Sequence, residues 1–129
     1  MSIADEPIQS LVKRPAMLVH LNDTLRQLSE TLEAESVGAA VVKGTNPIAL
    51  VSERDVVTAI AEGADPATTT VSEIMTEDVA TAAPTDRIID VARRMLDNEI
   101  RHMPIVEDGV VVGVVSVRDV LQTMADALA

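Results

Sequence analysis

The chain has 129 residues, 47% of them hydrophobic, and contains no Phe, Trp, Tyr or Cys. That is one domain's worth of chain with a core of Val, Ile, Leu, Met and Ala. It excludes disulfides, thiolate catalysis, Cys-based zinc sites and the aromatic platforms on which single-stranded nucleic acid stacks. Ten basic against 21 acidic residues give a net charge of −11, which repels nucleic acid and anionic membrane and reflects either solubility or a salt-rich habitat.

The opening M-S-I-A-D-E-P has neither a basic region nor a long apolar run, so no signal peptide is expected there. No apolar run reaches the roughly 20 residues of a membrane span. With cysteine absent, a cytoplasmic location is expected.

In chain order, a lead-in at Ile8–Val12 precedes a strand over Ala16–Val19 and a polar turn at Asn22-Asp23. Leu25, Leu28 and Leu32 follow at helical spacing on one face. Two strands, Gly38–Val42 and Ile48–Val51, flank the turn Lys43–Pro47. That turn is no P-loop, since no Gly-Lys-Ser/Thr follows it. A helix starts near Asp55 and ends at Gly63, and residues 64–70 read as a linker. The order then repeats: lead-in Val71–Met75, strand Val79–Ala82, turn Pro84-Thr85-Asp86, helix with Ile88, Val91 and Met95. Strands Met103–Val106 and Val110–Val115 surround Glu107-Asp108-Gly109, and a last helix starts near Asp119. The β-branched run Val110–Val115 suits a strand buried on both faces.

The repetition is in register. An offset of 63 superposes Ile8, Leu11, Leu25, Leu28 and Leu32 on Val71, Ile74, Ile88, Val91 and Met95. One residue gained in the second turn makes the offset 64, which superposes Ser52, Arg54 and Asp55 on Ser116, Arg118 and Asp119. The expected divisions are a first repeat over 1–63, a linker over 64–70 and a second repeat over 71–129. A unit of about 55 residues has a marginal core alone. The expected architecture is therefore an α/β fold of the α+β kind: two pseudo-symmetric β-α-β-β-α repeats packed sheet to sheet as one compact module. Each cleft between them would be floored by a Ser-x-x-Asp corner, where a strand gives way to a helix and unpaired N–H groups suit a polar ligand.

The second copy, Arg101-His102-Met103-Pro104-Ile105-Val106 and then Gly113-Val114-Val115-Ser116-Val117-Arg118-Asp119, resembles the CBS domain, named for cystathionine β-synthase. Val71-Ser72-Glu73-Ile74-Met75-Thr76 is similar to that family's linker into a new repeat. The first copy departs from the pattern, with Ala49 in place of Gly113, Val41 in place of Pro104, and Gly38 and Ala39 in place of Arg101 and His102. The resemblance implies a tandem pair, or Bateman module, standing alone. It implies a regulatory, non-enzymatic role: binding of AMP, ADP, ATP or S-adenosylmethionine between repeats, signalling of energy or metabolite status to a protein partner, and homodimerisation. No cofactor is required.

Carried onto this chain, the resemblance implies that Asp119 and Asp55 hold ribose hydroxyls and that Ser116 and Ser52 contact ribose or phosphate. Backbone at Ala16 would frame adenine in the Asp119 cleft, and Val79 or Ala80 in the Asp55 cleft. Each residue also has a plainer reading. A first-turn aspartate is favoured by the helix dipole, Arg118 and Arg54 are either exposed charges or phosphate ligands, and His102 either caps or packs at the strand start or, together with Arg101, reaches phosphate. Because only the second copy has Arg101 and His102, its cleft is expected to take the phosphorylated ligand. The alternative is a dimeric scaffold with degenerate clefts. Leu11, Val12, Leu121 and Met124 are the candidates for the dimer face, with core packing within the chain as their other reading. An enzyme is disfavoured, since the chain lacks a P-loop and a nucleophile–base pair, and its two histidines are too few for a metal site.

Overall fold

Residues 2–129 are described by a computed structural model. The chain divides into two units: Met17–Val79, and the segment ending at Ala16 together with Ala80–Ala129. The class is mixed α+β, as expected.

In the unit of residues 17–79, strand β1 (Leu18–Val19) lies parallel to β2 (Ala39–Val42), which pairs antiparallel with β3 (Leu50–Ser52). Helix α1 (Leu25–Glu35) makes the crossover. Thr24 caps it in a reciprocal box with Gln27: Thr24 Oγ1 accepts from Gln27 N and Gln27 Oε1 accepts from Thr24 N. Its Leu25, Leu28 and Leu32 are buried, as their spacing requires. Helix α2 (Glu53–Ala61) closes the repeat, and Gly63 N donates to the Ile60 carbonyl behind it. A short helix, α3 (Val71–Ile74), completes the core with a fully buried Val71.

In the other unit, α4 (Ile88–Asp97) buries Ile88, Val91 and Met95. Strands β4 (His102–Glu107) and β5 (Val110–Ser116) form an antiparallel hairpin, and α5 (Val117–Leu128) follows. Asp108 and Gly109 both have positive φ, as a two-residue type I′ hairpin turn requires.

Three expectations are corrected. The strand at Val79–Ala82 reduces to a single parallel bridge, Ala82 to Ile105, because only Ala82 donates to and accepts from β4. Burial on both faces belongs to β2, the central strand of its sheet, and not to β5. Strand β5 is an edge strand and leaves Val110 and Val112 exposed. Leu11 and Val12 belong to the core of their unit instead of a contact face.

The units and the sequence repeats follow different boundaries, because each repeat's lead-in docks on the other repeat's first helix. Ile8 N donates to the Asp86 carbonyl (2.7 Å), Gln9 N to Pro84 (3.1 Å), and Ile88 N to Glu6 (2.9 Å). The offset of 63 reproduces all three with the partners exchanged. Val71 N donates to Asp23 (2.8 Å), Ser72 N to Leu21 (3.0 Å), and Leu25 N to Thr69 (2.8 Å). Residues 64–70 are thus held against α1, with the Pro66 carbonyl accepting from Arg26 N as well.

Candidate functional site

The β5–α5 corner forms because Ser116 is extended (φ −102°, ψ 160°) and its hydroxyl takes an N–H that the new helix leaves unpaired. Ser116 Oγ accepts from Asp119 N at 3.0 Å, and Asp119 Oδ2 accepts from Ser116 N at 2.8 Å. Both side chains therefore serve as caps. Asp119 spends one carboxylate oxygen on this, and Oδ1 accepts no hydrogen bond from a described residue.

The hairpin register brings other residues to the same corner. His102 is the cross-strand partner of Ser116. The Arg101 carbonyl accepts from Val117 N at 2.9 Å, which pins Arg101 to the first turn of α5 beside Arg118. Arg101 and Arg118 are exposed. The ion pairs among the described residues are Arg87–Asp5, Arg87–Asp90 and Arg94–Asp86, so both corner guanidinium groups keep their charge unpaired in a chain of net charge −11. Arg101, His102, Ser116, Arg118 and Asp119 are thus gathered in one unit.

The β3–α2 corner repeats the design with less charge. Ser52 caps α2, accepting from Asp55 N at 3.2 Å, while Asp55 Oδ2 accepts from Ser52 N at 2.9 Å and from Ser52 Oγ at 3.2 Å. Ala39 is the cross-strand partner of Ser52, and the Gly38 carbonyl accepts from Glu53 N. Arg54 is exposed and forms no ion pair with a described residue. Here Asp55 Oδ1 is occupied, accepting from Thr76 Oγ1 at 3.2 Å. Sequence reasoning missed Thr76, because the bond spans 21 residues and no local pattern signals it.

The backbone candidates divide between the units. Ala16 ends the first segment of the unit that holds Asp119, and Val79 lies in the unit that holds Asp55. Ala80 lies in the other unit, where it packs on the core around Ile88. No hydrogen bond among the described residues joins Ala16, Val79 or Ala80 to either aspartate. No group of three or more His, Asp or Glu among the described residues is arranged to hold a metal, and no helix is long and apolar enough to cross a membrane.

The CBS-domain family model matches twice, over residues 8–62 and 71–126. The chain is 30% identical over 122 residues to the protein MJ1225 of Methanocaldococcus jannaschii, covering 93% of this chain and 43% of that one. It spans between 43% and 61% of the length of the first curated relatives that it matches. The CBS-domain protein ATU1752 of Agrobacterium tumefaciens has the same fold, at 27% identity and a TM-score of 0.84 over 92% of this chain and 98% of that one. So does the CBS domain pair of protein MJ0100, whose crystal structure is in complex with 5′-methylthioadenosine and S-adenosylmethionine, at 22% identity and a TM-score of 0.82 over 92% and 98% of the two chains. With both repeats matched across nearly their whole length, this chain belongs to the CBS-domain family as a tandem pair.

Proposed function

We propose that this CBS pair is a regulatory module that binds an adenosine-containing ligand of the AMP, ADP or ATP class at the Asp119 corner and relays its level to a partner protein. The observation that carries this is the gathering of Arg101, His102, Ser116, Arg118 and Asp119 in one unit. An ionised carboxylate is an acceptor-only group, suited to two vicinal hydroxyls, and Asp119 Oδ1 accepts no hydrogen bond from a described residue. Two unpaired guanidinium groups suit the phosphate oxygens. The two adenosine compounds in the MJ0100 complex, neither of them phosphorylated, support the adenosine part of this reading. Ala16 is the adenine-framing candidate of the same unit. Ser52, Arg54, Asp55 and Val79 form the lesser corner, and Ala80 is assigned to no corner.

The module pairs as a homodimer in the cytoplasm, in this reading. Val117, Leu121, Met124 and Leu128 recur on α5 in alternating four- and three-residue steps, the spacing that packs one helix against another. Val117, Leu121 and Leu128 are exposed.

Thermal unfolding followed by circular dichroism, at fixed salt and with AMP, ADP, ATP, S-adenosylmethionine or no ligand, tests the binding. A ligand at 100 times its Kd adds about 2.7 kcal/mol, roughly a 10 °C rise in Tm for a chain of this size. A rise with one adenosine ligand that is lost in Asp119→Ala supports the reading. No rise with any of them at millimolar concentration overturns it in favour of a scaffold.

A further inference from the structure

The two corners differ by one bond that neither Ser-x-x-Asp motif contains. Thr76 Oγ1 donates to Asp55 Oδ1 at 3.2 Å. Thr76 is fixed in place to do so, because Thr76 N donates to the Leu50 carbonyl at 2.8 Å and Leu50 N to the Thr76 carbonyl at 3.0 Å, a bridge on the outer edge of β3. With Oδ2 held by Ser52, both carboxylate oxygens of Asp55 are used. The repeat offset puts Lys13 at the place of Thr76. Lys13 makes no strand bridge among the described residues, and its Nζ donates to the Ser10 carbonyl at 3.1 Å. Asp119 Oδ1 accepts no hydrogen bond from a described residue.

We propose that Thr76 is an internal occupant of the Asp55 corner, its hydroxyl standing where a ligand hydroxyl would bond, so that this corner holds a diol-bearing ligand more weakly than the Asp119 corner does. The inference rests on the reading of these aspartates as hydroxyl acceptors. A carboxylate oxygen offers about two acceptor sites. Ser52 takes two bonds on Oδ2 and Thr76 one on Oδ1, so among the described residues Asp55 keeps about one site where Asp119, bonded by Ser116 N alone, keeps about three. A ligand that places both hydroxyls on Asp55 must first displace the Thr76 hydroxyl. The backbone bonds to Leu50 let it leave by a χ1 rotation alone, between the staggered wells open to a threonine. The two corners then fill over different ranges of ligand concentration, with residue 76 setting the gap.

Isothermal titration with AMP tests this on the full chain, using Asp119→Ala to isolate the Asp55 corner. Adding Thr76→Val, which keeps the β-branch and removes the hydroxyl, should tighten binding there by about three- to ten-fold, the value of one hydrogen bond lost from the competing state. Adding Thr76→Ser instead, which keeps the hydroxyl, should leave the affinity as in Asp119→Ala alone. Unchanged or weaker binding in the valine variant, in a chain whose wild type binds AMP, overturns the inference and leaves the function standing. Binding that appears only when valine replaces Thr76 supports the inference and moves the function to the Asp55 corner. No binding by any variant overturns both.

Discussion

Gly113 is set by a neighbour that lies far off in sequence. A Cβ built on it would meet Val12 Cγ1 at 2.5 Å, closer than packed carbons approach. Gly113→Ala should therefore cost about 1–3 kcal/mol by overpacking, read as a lower urea midpoint. Val12→Ala in the same chain should recover much of it, since the two effects share one contact. The first repeat carries Ala49 and Met75 at the matching positions, and a flexible methionine tolerates the extra methyl there. Asp86 offers a second test. The Ala83 N–H bond, then the Arg94 guanidinium, hold its carboxyl below the ordinary value of 3.8. The folded state thus favours the ionised form, and the resulting stability is complete above that value and is lost as pH falls through the folded pKa. Asp86→Asn should cost about 1 kcal/mol at neutral pH, a figure kept small because both partners are partly exposed. It should also flatten the fall in Tm of the wild type below about pH 4.

At the level of the element, each cap is separable from ligand chemistry. Thr24 caps α1 with Gln27 and belongs to no candidate corner. Thr24→Ala should cost about 1 kcal/mol and leave AMP affinity unchanged. Ser116→Ala should cost a similar amount, through the Asp119 N–H it leaves unpaired, and should weaken AMP binding as well. Circular dichroism melts and titrations on the two variants separate capping from binding. Equal affinity in both would reduce Ser116 to a cap.

For the whole molecule, the exchanged lead-ins make a specific statement about fragments. Residues 17–79 contain every member of their own core, including Val71, Ile74 and Met75. Residues 1–63 form a complete repeat by sequence but lack those three. A fully buried apolar side chain contributes roughly 1.5–3 kcal/mol, against a total stability of about 5–15 kcal/mol for an ordinary domain. The fragment 17–79 should therefore melt cooperatively at reduced Tm, and the fragment 1–63 should show no cooperative transition. The opposite order would mean that the lead-ins matter little.

The motifs around Ser116 and Asp119 carried the family resemblance, and the residues alone determined the α+β class, the β-α-β-β-α order of the first repeat and the two Ser-x-x-Asp corners. The class, the element order and the corners rest on local rules: alternation or helical spacing of apolar residues, cap chemistry within three positions, and turn residues such as Asp108-Gly109. His102 and Ser116 meet only because a register shift between Ile105 and Val106 leaves Val112 unpaired; the two-residue turn alone would pair His102 with Val115. The bridge that shrank the strand at Val79–Ala82, the exposure of β5, the exchange of lead-ins and the occupation of Asp55 by Thr76 were decided only by tertiary structure. Each depends on which backbone or side-chain group meets another tens of residues away, and only the folded chain sets such a meeting.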